Sequence, residues 1–266
     1  MALRLAVEDA GEEAREGGPV VVLLHGLTAT RRYVVMGSKL LERSGHRVIA
    51  YDARGHGDSE PGDGYDYGAL TADLVDVLDG AGIDDRVVLA GASMGAHTAL
   101  RLAIEVPERV RALVLVTPGH DPDTLEDPDR LGRWDALARG LRDGGVEGFV
   151  AAYGEPDVPP ALRDTVLTVL RQRLARHLHP EAVADALEQV PRSAPFARLE
   201  DLAAITAPTV VVGSRDEADP GHPLALAEAY AAAIPGARLV VEAEGKSPLA
   251  WQGGQLSRVI AEAAAG

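Results

Sequence analysis

The chemistry-bearing residues of this chain converge on one stretch, Val87-Val88-Leu89-Ala90-Gly91-Ala92-Ser93-Met94-Gly95-Ala96-His97. An apolar, β-branched run stops at a Gly-x-Ser-x-Gly pentapeptide, and a helix-like segment from Ala96 to Glu105 follows at once. The pattern predicts a strand, a sharp turn and a helix, with Ser93 at the apex of the turn. Such a turn strains the backbone of the serine, so the flanking positions must be small, and Gly91 and Gly95 meet that need. The hydroxyl then stands clear of the strand, facing the positive N-terminal end of the next helix. A serine held this way is suited to nucleophilic attack. The pentapeptide alone also occurs in plain Gly/Ser loops; the strand before it and the helix after it favour the chemical reading.

The elements that position Ser93 follow from hydrophobic patterning. Val20-Val21-Val22-Leu23-Leu24 is a continuous apolar run, as expected of a strand buried on both faces, and it ends at His25-Gly26-Leu27-Thr28. Val48 to Asp52 is the next strand and runs into Arg54-Gly55-His56-Gly57-Asp58-Ser59; Val110 to Val116 is another, ending at Thr117-Pro118-Gly119-His120. Leu3 to Val7 reads as a short edge strand, and Glu8 to Gly18 as a polar turn region. Helices are expected over Tyr33 to Arg43 and Tyr67 to Leu78, the second with Leu70, Leu74, Val77 and Leu78 on one face. Strands alternating with helices at this spacing imply right-handed crossovers and an α/β fold with a mostly parallel central sheet.

The alternation breaks between Pro118 and Arg198, where the pattern predicts only helices: Leu131 to Arg142, Gly145 to Tyr153, Ala161 to His177 and Glu181 to Gln189, punctuated by prolines. This reads as an inserted helical cap over residues 118–198, on a core built from 1–117 and 199–266. The rhythm resumes with Pro208 to Gly213, a helix from Pro223 to Ile234, the strand Ala237 to Val241 and a helix from about Gln255 to Ala264.

Composition bounds the partners. A chain of 266 residues, 46% hydrophobic, is of ordinary globular type. The formal net charge of -15 argues against nucleic acid and anionic membranes as main partners. There are no cysteines, hence no disulfides and no thiolate chemistry. No apolar run of about 18 residues offers a membrane span, and no basic-then-apolar leader opens the sequence, so a cytoplasmic protein acting on a small molecule is expected by default. The histidines lack metal-site spacing with carboxylates, and no Gly-rich phosphate loop precedes a helix, so no metal or cofactor is expected.

Four stretches, in order, now carry a resemblance: His25-Gly26, Arg54-Gly55-His56-Gly57-Asp58-Ser59, Gly91-Ala92-Ser93-Met94-Gly95 and Gly213-Ser214-Arg215-Asp216. Together they resemble the α/β-hydrolase superfamily, in its cap-bearing esterase, lactonase and haloperoxidase-like branch, over nearly the whole chain. The resemblance implies that Ser93 is the nucleophile and that the backbone N–H groups of Leu27 and Met94 form the oxyanion hole. It implies Asp216 as the acid that orients the base, with Asp219, three residues on, as an alternative, and Asp121 and Asp123 as further options. It also implies that His25 braces the oxyanion loop. His56 is expected to be structural, and His97, one helical turn after Ser93, a hydrogen-bonded buried histidine.

The sequence departs from the family at the base. The family pattern wants a histidine after the last strand, but the chain reads Glu244-Gly245-Lys246-Ser247-Pro248, and no histidine follows His222. Three readings compete. His222, six residues after Asp216, reaches Ser93 from the side of the acid. Alternatively Lys246 is the base, which requires a neutral, buried amine, whereas a nearby Asp216 would hold it charged. Or the site is impaired, and the chain is a non-hydrolytic binding protein, or a cofactor-free lyase, on the same scaffold. Histidines 120, 177 and 179 rank below His222. Trp134, Phe149 and Tyr153 are candidates to wall an apolar substrate pocket, or else they pack the cap. The expected activity is that of a serine-dependent hydrolase of a small carboxylic ester, lactone or similar acyl compound.

Overall fold

The computed structural model describes residues 3–10, 18–216, 219, 221–246, 251 and 253–266. Seven strands form one sheet: β1 (Val7–Ala10), β2 (Val20–Leu24), β3 (Arg47–Tyr51), β4 (Val87–Ala92), β5 (Val110–Val116), β6 (Thr209–Gly213) and β7 (Arg238–Val241). Their spatial order is β1-β3-β2-β4-β5-β6-β7; β1 pairs antiparallel with β3, and every other pair is parallel. The interior strands are apolar throughout because both of their faces are covered. Alternate residues divide between two cores, with Val22, Leu24 and Leu89 on one face and Val21, Leu23 and Val88 on the other. The first face packs on α2 (Tyr67–Gly80), α3 (Met94–Glu105) and α7 (Leu224–Ala233) through Leu74, Leu100 and Tyr230. The second packs on α1 (Leu40–Arg43) and α8 (Gly253–Ala265) through Leu41, Leu256 and Ile260. Each such side chain contributes about 1.5–3 kcal/mol by leaving water.

Two expectations are corrected here. The edge strand lies at Val7–Ala10, not Leu3 to Val7; its register is set by pairing with β3, Val7 opposite Tyr51 and Ala10 opposite Val48. The helix expected over Tyr33 to Arg43 is broken. Met36 (φ 46°) and Gly37 (φ 74°) adopt left-handed backbone, leaving a single 3-10 turn at Arg31–Tyr33 and the one-turn α1. That loop buries Val34 and Val35 under the sheet while Met36 faces solvent, so packing, not helical periodicity, decides its path.

Between β5 and β6 lie α4 (Pro128–Tyr153), α5 (Pro160–Leu174) and α6 (Pro180–Gln189). Helix α4 folds back at Gly145 (φ 59°, ψ -145°), which divides it where the sequence divides its two expected helices. Its arms touch at Gly140 and Gly148: a Cβ on either residue would strike the other's carbonyl oxygen, at 2.1–2.5 Å. The three helices share a core of their own around Leu141, Phe149, Leu170 and Leu187. Polar contacts tie this insertion to the stretch that opens α2. Ser193 Oγ accepts from the Tyr67 N–H at 2.9 Å, and Gln189 Oε1 from that of Tyr65 at 3.1 Å. Among the described residues no helix is long and apolar enough to cross a membrane.

Candidate active site

Every loop at the site leaves the carboxyl end of a strand. Ser93 stands between β4 and α3 with φ 49° and ψ -113°, a conformation that L-residues rarely adopt. The flanking glycines are required by contact. A Cβ on Gly91 would lie 2.3 Å from the Gly95 backbone, and one on Gly95 would lie 2.2 Å from the Leu24 carbonyl oxygen. Two more strand ends are strained in the same sense, at Thr28 (φ 65°) after β2 and Thr117 (φ 43°) after β5.

The Ser93 hydroxyl meets His222. Ser93 Oγ lies 2.8 Å from His222 Nε2, while His222 Nδ1 lies 2.8 and 2.9 Å from the two oxygens of Asp219. The histidine and the acid belong to one tight turn, closed by the His222 N–H donating to the Asp219 carbonyl at 3.0 Å. Asp219 keeps 49% of its side-chain surface. Packing around its carboxylate disfavours charge, but the hydrogen bond from His222 and the nearby Arg173 outweigh that and hold it below the ordinary carboxylate value. Gly119 makes room for the ring, since a Cβ there would lie 2.7 Å from His222 Cδ2 and 2.8 Å from the Gly221 oxygen.

The expected acid, Asp216, is therefore corrected: the carboxylate on His222 is that of Asp219. The reason is local, because positions 219 and 222 span one turn and bring their side chains together, whereas Asp216 precedes that turn. Asp216 is half-buried, with its N–H donating to Ser214 Oγ at 3.2 Å. Lys246 is likewise not brought to Ser93. It is exposed, its N–H caps the Ala243 carbonyl at 3.2 Å, and it has no ion pair among the described residues. Ser247 and Pro248 lie outside the described residues.

The N–H groups of Leu27 and Met94 flank Ser93 from the β2 loop and the start of α3. Among the described residues, no hydrogen bond outside the regular elements uses either donor. The β2 loop is seated close, with the Gly26 Cβ position 3.3 Å from the Ala92 oxygen. His25 supports it from beneath, donating from Nδ1 to Gly26 O at 2.8 Å and accepting the Ala53 N–H on Nε2 at 2.9 Å. His177 reaches down from the end of α5. Its Nε2 donates to Thr28 O at 3.0 Å and its Nδ1 accepts the Gly57 N–H at 2.8 Å, clamping two sheet loops together. The Arg54-to-Ser59 stretch is scaffold: Arg54 forks onto Asp73 at 2.7 Å on both oxygens, and Asp52 receives the Arg31 guanidinium and the Asp58 N–H.

A cavity of about 920 Å3 opens over Ser93 beneath the helices that follow β5. Trp134 and Tyr153 line it, as do Leu27, Met94, His97 and Tyr67. Phe149 does not and is corrected to a core residue: it is 2% exposed and stacks on Tyr153, ring centres 6.5 Å apart. Sequence reasoning missed Gly119, Tyr67 and Glu242. Buried Glu242, after β7, accepts from Ser214 Oγ at 3.0 Å and the Arg215 N–H at 2.6 Å, and so pins the loop that leads to Asp219. No local signal marks these three. Asp219 had one: an Asp-x-x-His spacing in a Pro/Gly turn. Among the described residues no group of three or more His, Cys, Asp or Glu side chains is arranged to hold a metal.

A strained serine thus follows the central strand of an α/β sheet, with backbone donors beside it and a histidine on its hydroxyl. The chain matches the alpha/beta hydrolase fold family over residues 19–252, and it belongs to that family. It is 38% identical over 99 residues to an sn-1-specific diacylglycerol lipase of Mus musculus, covering 37% of this chain and 32% of the lipase, so it spans about a third of that relative's length. Among solved structures it is similar to a thermophilic esterase from Thermogutta terrifontis (26% identity, TM-score 0.77, covering 99% of this chain and 91% of that one). It is similar as well to the enol-lactonase from Burkholderia xenovorans LB400 (25% identity, TM-score 0.74, covering 98% and 94%).

Proposed function

We propose that the chain is a serine hydrolase of small carboxylic esters or lactones, with core 1–117 and 199–266 and a cap, 118–198, roofing the cavity. The observation that carries the reading is the 2.8 Å contact of Ser93 Oγ with His222 Nε2, backed by Asp219 on Nδ1. His222 takes the Ser93 proton as the oxygen attacks the acyl carbon. Asp219 holds the Nδ1 proton in place and balances the imidazolium that forms. The N–H groups of Leu27 and Met94 receive the oxyanion; one such donor is worth about 3 kcal/mol in the transition state. His222 then protonates the leaving alcohol. Water, activated by the same histidine, releases the acid from the acyl-serine. The exposure of Lys246 supports this reading over an impaired site, since no ammonium occupies the position of the base. The esterase and lactonase relatives support the substrate class.

A fluorophosphonate probe tests it: mass spectrometry should find a near-stoichiometric adduct on Ser93 and none in Ser93→Ala. An unlabelled wild-type protein after long incubation sinks the proposal. A second expectation concerns Gly119. Gly119→Ala should push the His222 ring off Ser93 and lower kcat on the order of 10²-fold, as an ångström of misplacement does. The same variant should keep its circular dichroism spectrum; unchanged kcat would mean that the ring is not held by this contact.

A further inference from the structure

His97 is buried behind Ser93, and its ring is fully accounted for. Its Nε2 accepts two backbone N–H groups, of Gly119 and His120, each at 3.0 Å. A nitrogen that accepts carries no proton, and burial with His120 close by holds the ring well below the ordinary imidazole value, so it stays neutral. The hydrogen-bond network therefore assigns the proton to Nδ1. That nitrogen lies 2.8 Å from the Tyr67 hydroxyl, so His97 donates and Tyr67 accepts. The hydroxyl's own proton must then point elsewhere. Among the described residues the Tyr67 hydroxyl has no second partner. Tyr67 is 4% exposed, and what its surface borders is the cavity that also holds Ser93. Burial pushes its phenol up, so it remains an O–H. Arg130 lines the same cavity with its Nη1 engaged on the Pro191 carbonyl at 3.0 Å, so cation and phenol border one space.

We propose that Tyr67 is a specificity-determining donor, oriented by His97, which binds a second oxygen acceptor of the substrate, apart from the reacting carbonyl. The preferred substrates are then esters or lactones that carry a further carbonyl, ether or carboxylate oxygen, not plain alkyl esters. A buried donor left without an acceptor is penalised, which is what a plain alkyl ester imposes and an acceptor oxygen relieves. The inference rests on the serine-hydrolase reading of the same site.

Matched esters test it: 4-nitrophenyl alkanoates against the same chains with an oxo group at successive positions, and a second series with the oxo group in the alcohol. Wild type should favour at least one oxo ester by about tenfold in kcat/KM. Tyr67→Phe should erase that preference, lowering kcat/KM for the favoured oxo ester by about tenfold relative to its plain match. Equal wild-type rates across all matched pairs overturn the proposal. So does an equal loss on both kinds in Tyr67→Phe, which would mark a merely structural tyrosine. Calorimetry on Ser93→Ala gives a readout independent of turnover: the amide analogue of the favoured oxo acyl chain should bind about tenfold tighter than its alkyl match, and the difference should vanish in Ser93→Ala/Tyr67→Phe. If wild type hydrolyses no ester, the hydrolase reading fails, and this binding difference, with oxo amides at every position, still decides for or against Tyr67.

Discussion

His222→Ala should lower ester turnover on the order of 10⁴-fold, and Lys246→Ala should leave it within about twofold. The asymmetry follows from geometry. His222 is within hydrogen-bond reach of Ser93 Oγ, while Lys246 faces solvent with its own N–H spent on a turn. An unassisted serine hydroxyl is a poor nucleophile, so removing its proton acceptor removes most of the chemistry that binding and the oxyanion donors cannot supply. Asp219→Asn should cost on the order of 10²- to 10⁴-fold by presenting the wrong hydrogen-bond pattern to Nδ1, and Asp216→Asn should cost far less. Steady-state kinetics on one activated ester decide all four variants. A Lys246→Ala protein as impaired as His222→Ala, or an Asp216→Asn protein worse than Asp219→Asn, would reverse the assignment of base or acid.

This arrangement also shows what was legible in the chain. The strand runs around Val22, Leu89 and Leu115 are apolar on both faces and could belong only to a covered parallel sheet. Gly91 is dictated by the backbone of Gly95 and Ala96 just beyond Ser93, and Gly95 by the Leu24 carbonyl of the neighbouring strand; the turn was readable because both glycines fall in one short window after an apolar strand. His222 was readable as the histidine six residues after Asp216, in the loop that opens the next helix. The choice between Asp216 and Asp219 was not, because it depends on which carboxylate the turn at 219–222 folds onto the imidazole. Tyr67 and Glu242 were invisible for a stronger reason. Each acts across long sequence separation, Tyr67 on His97 thirty positions away and Glu242 on the 214–215 loop, and nothing in a local pattern records such a pairing. Trp134 and Phe149 divide the same way: one faces the cavity and the other the helical core, a distinction set by the fold-back of α4 at Gly145.

The buried histidines that hold these loops should make the fold acid-labile well above the range where carboxylates titrate. His25, His56, His97, His120 and His177 are all buried, and burial holds each below the ordinary imidazole value, His120 and His177 at about 4. The unfolded chain protonates its histidines near 6.5. Between about pH 6.5 and 4 the unfolded state therefore binds protons that the folded state refuses, and stability falls as pH falls; above 6.5 it is fully present. Each such histidine removes up to about 1.4 kcal/mol per pH unit across its window. With five acting together against a total of about 5–15 kcal/mol, the melting temperature should drop by at least about 10 °C between pH 7 and pH 5. Asp219, whose carboxyl is held below its ordinary value, adds a loss of the same sign only at lower pH. His177→Gln should lower stability at pH 7, because it breaks the bridge from Thr28 to Gly57, and should flatten the pH dependence by about one proton. A melting temperature constant from pH 7 to pH 5 would show that these rings accept protons in place, and that the clamp between the helical insertion and the sheet loops does not depend on neutral imidazoles.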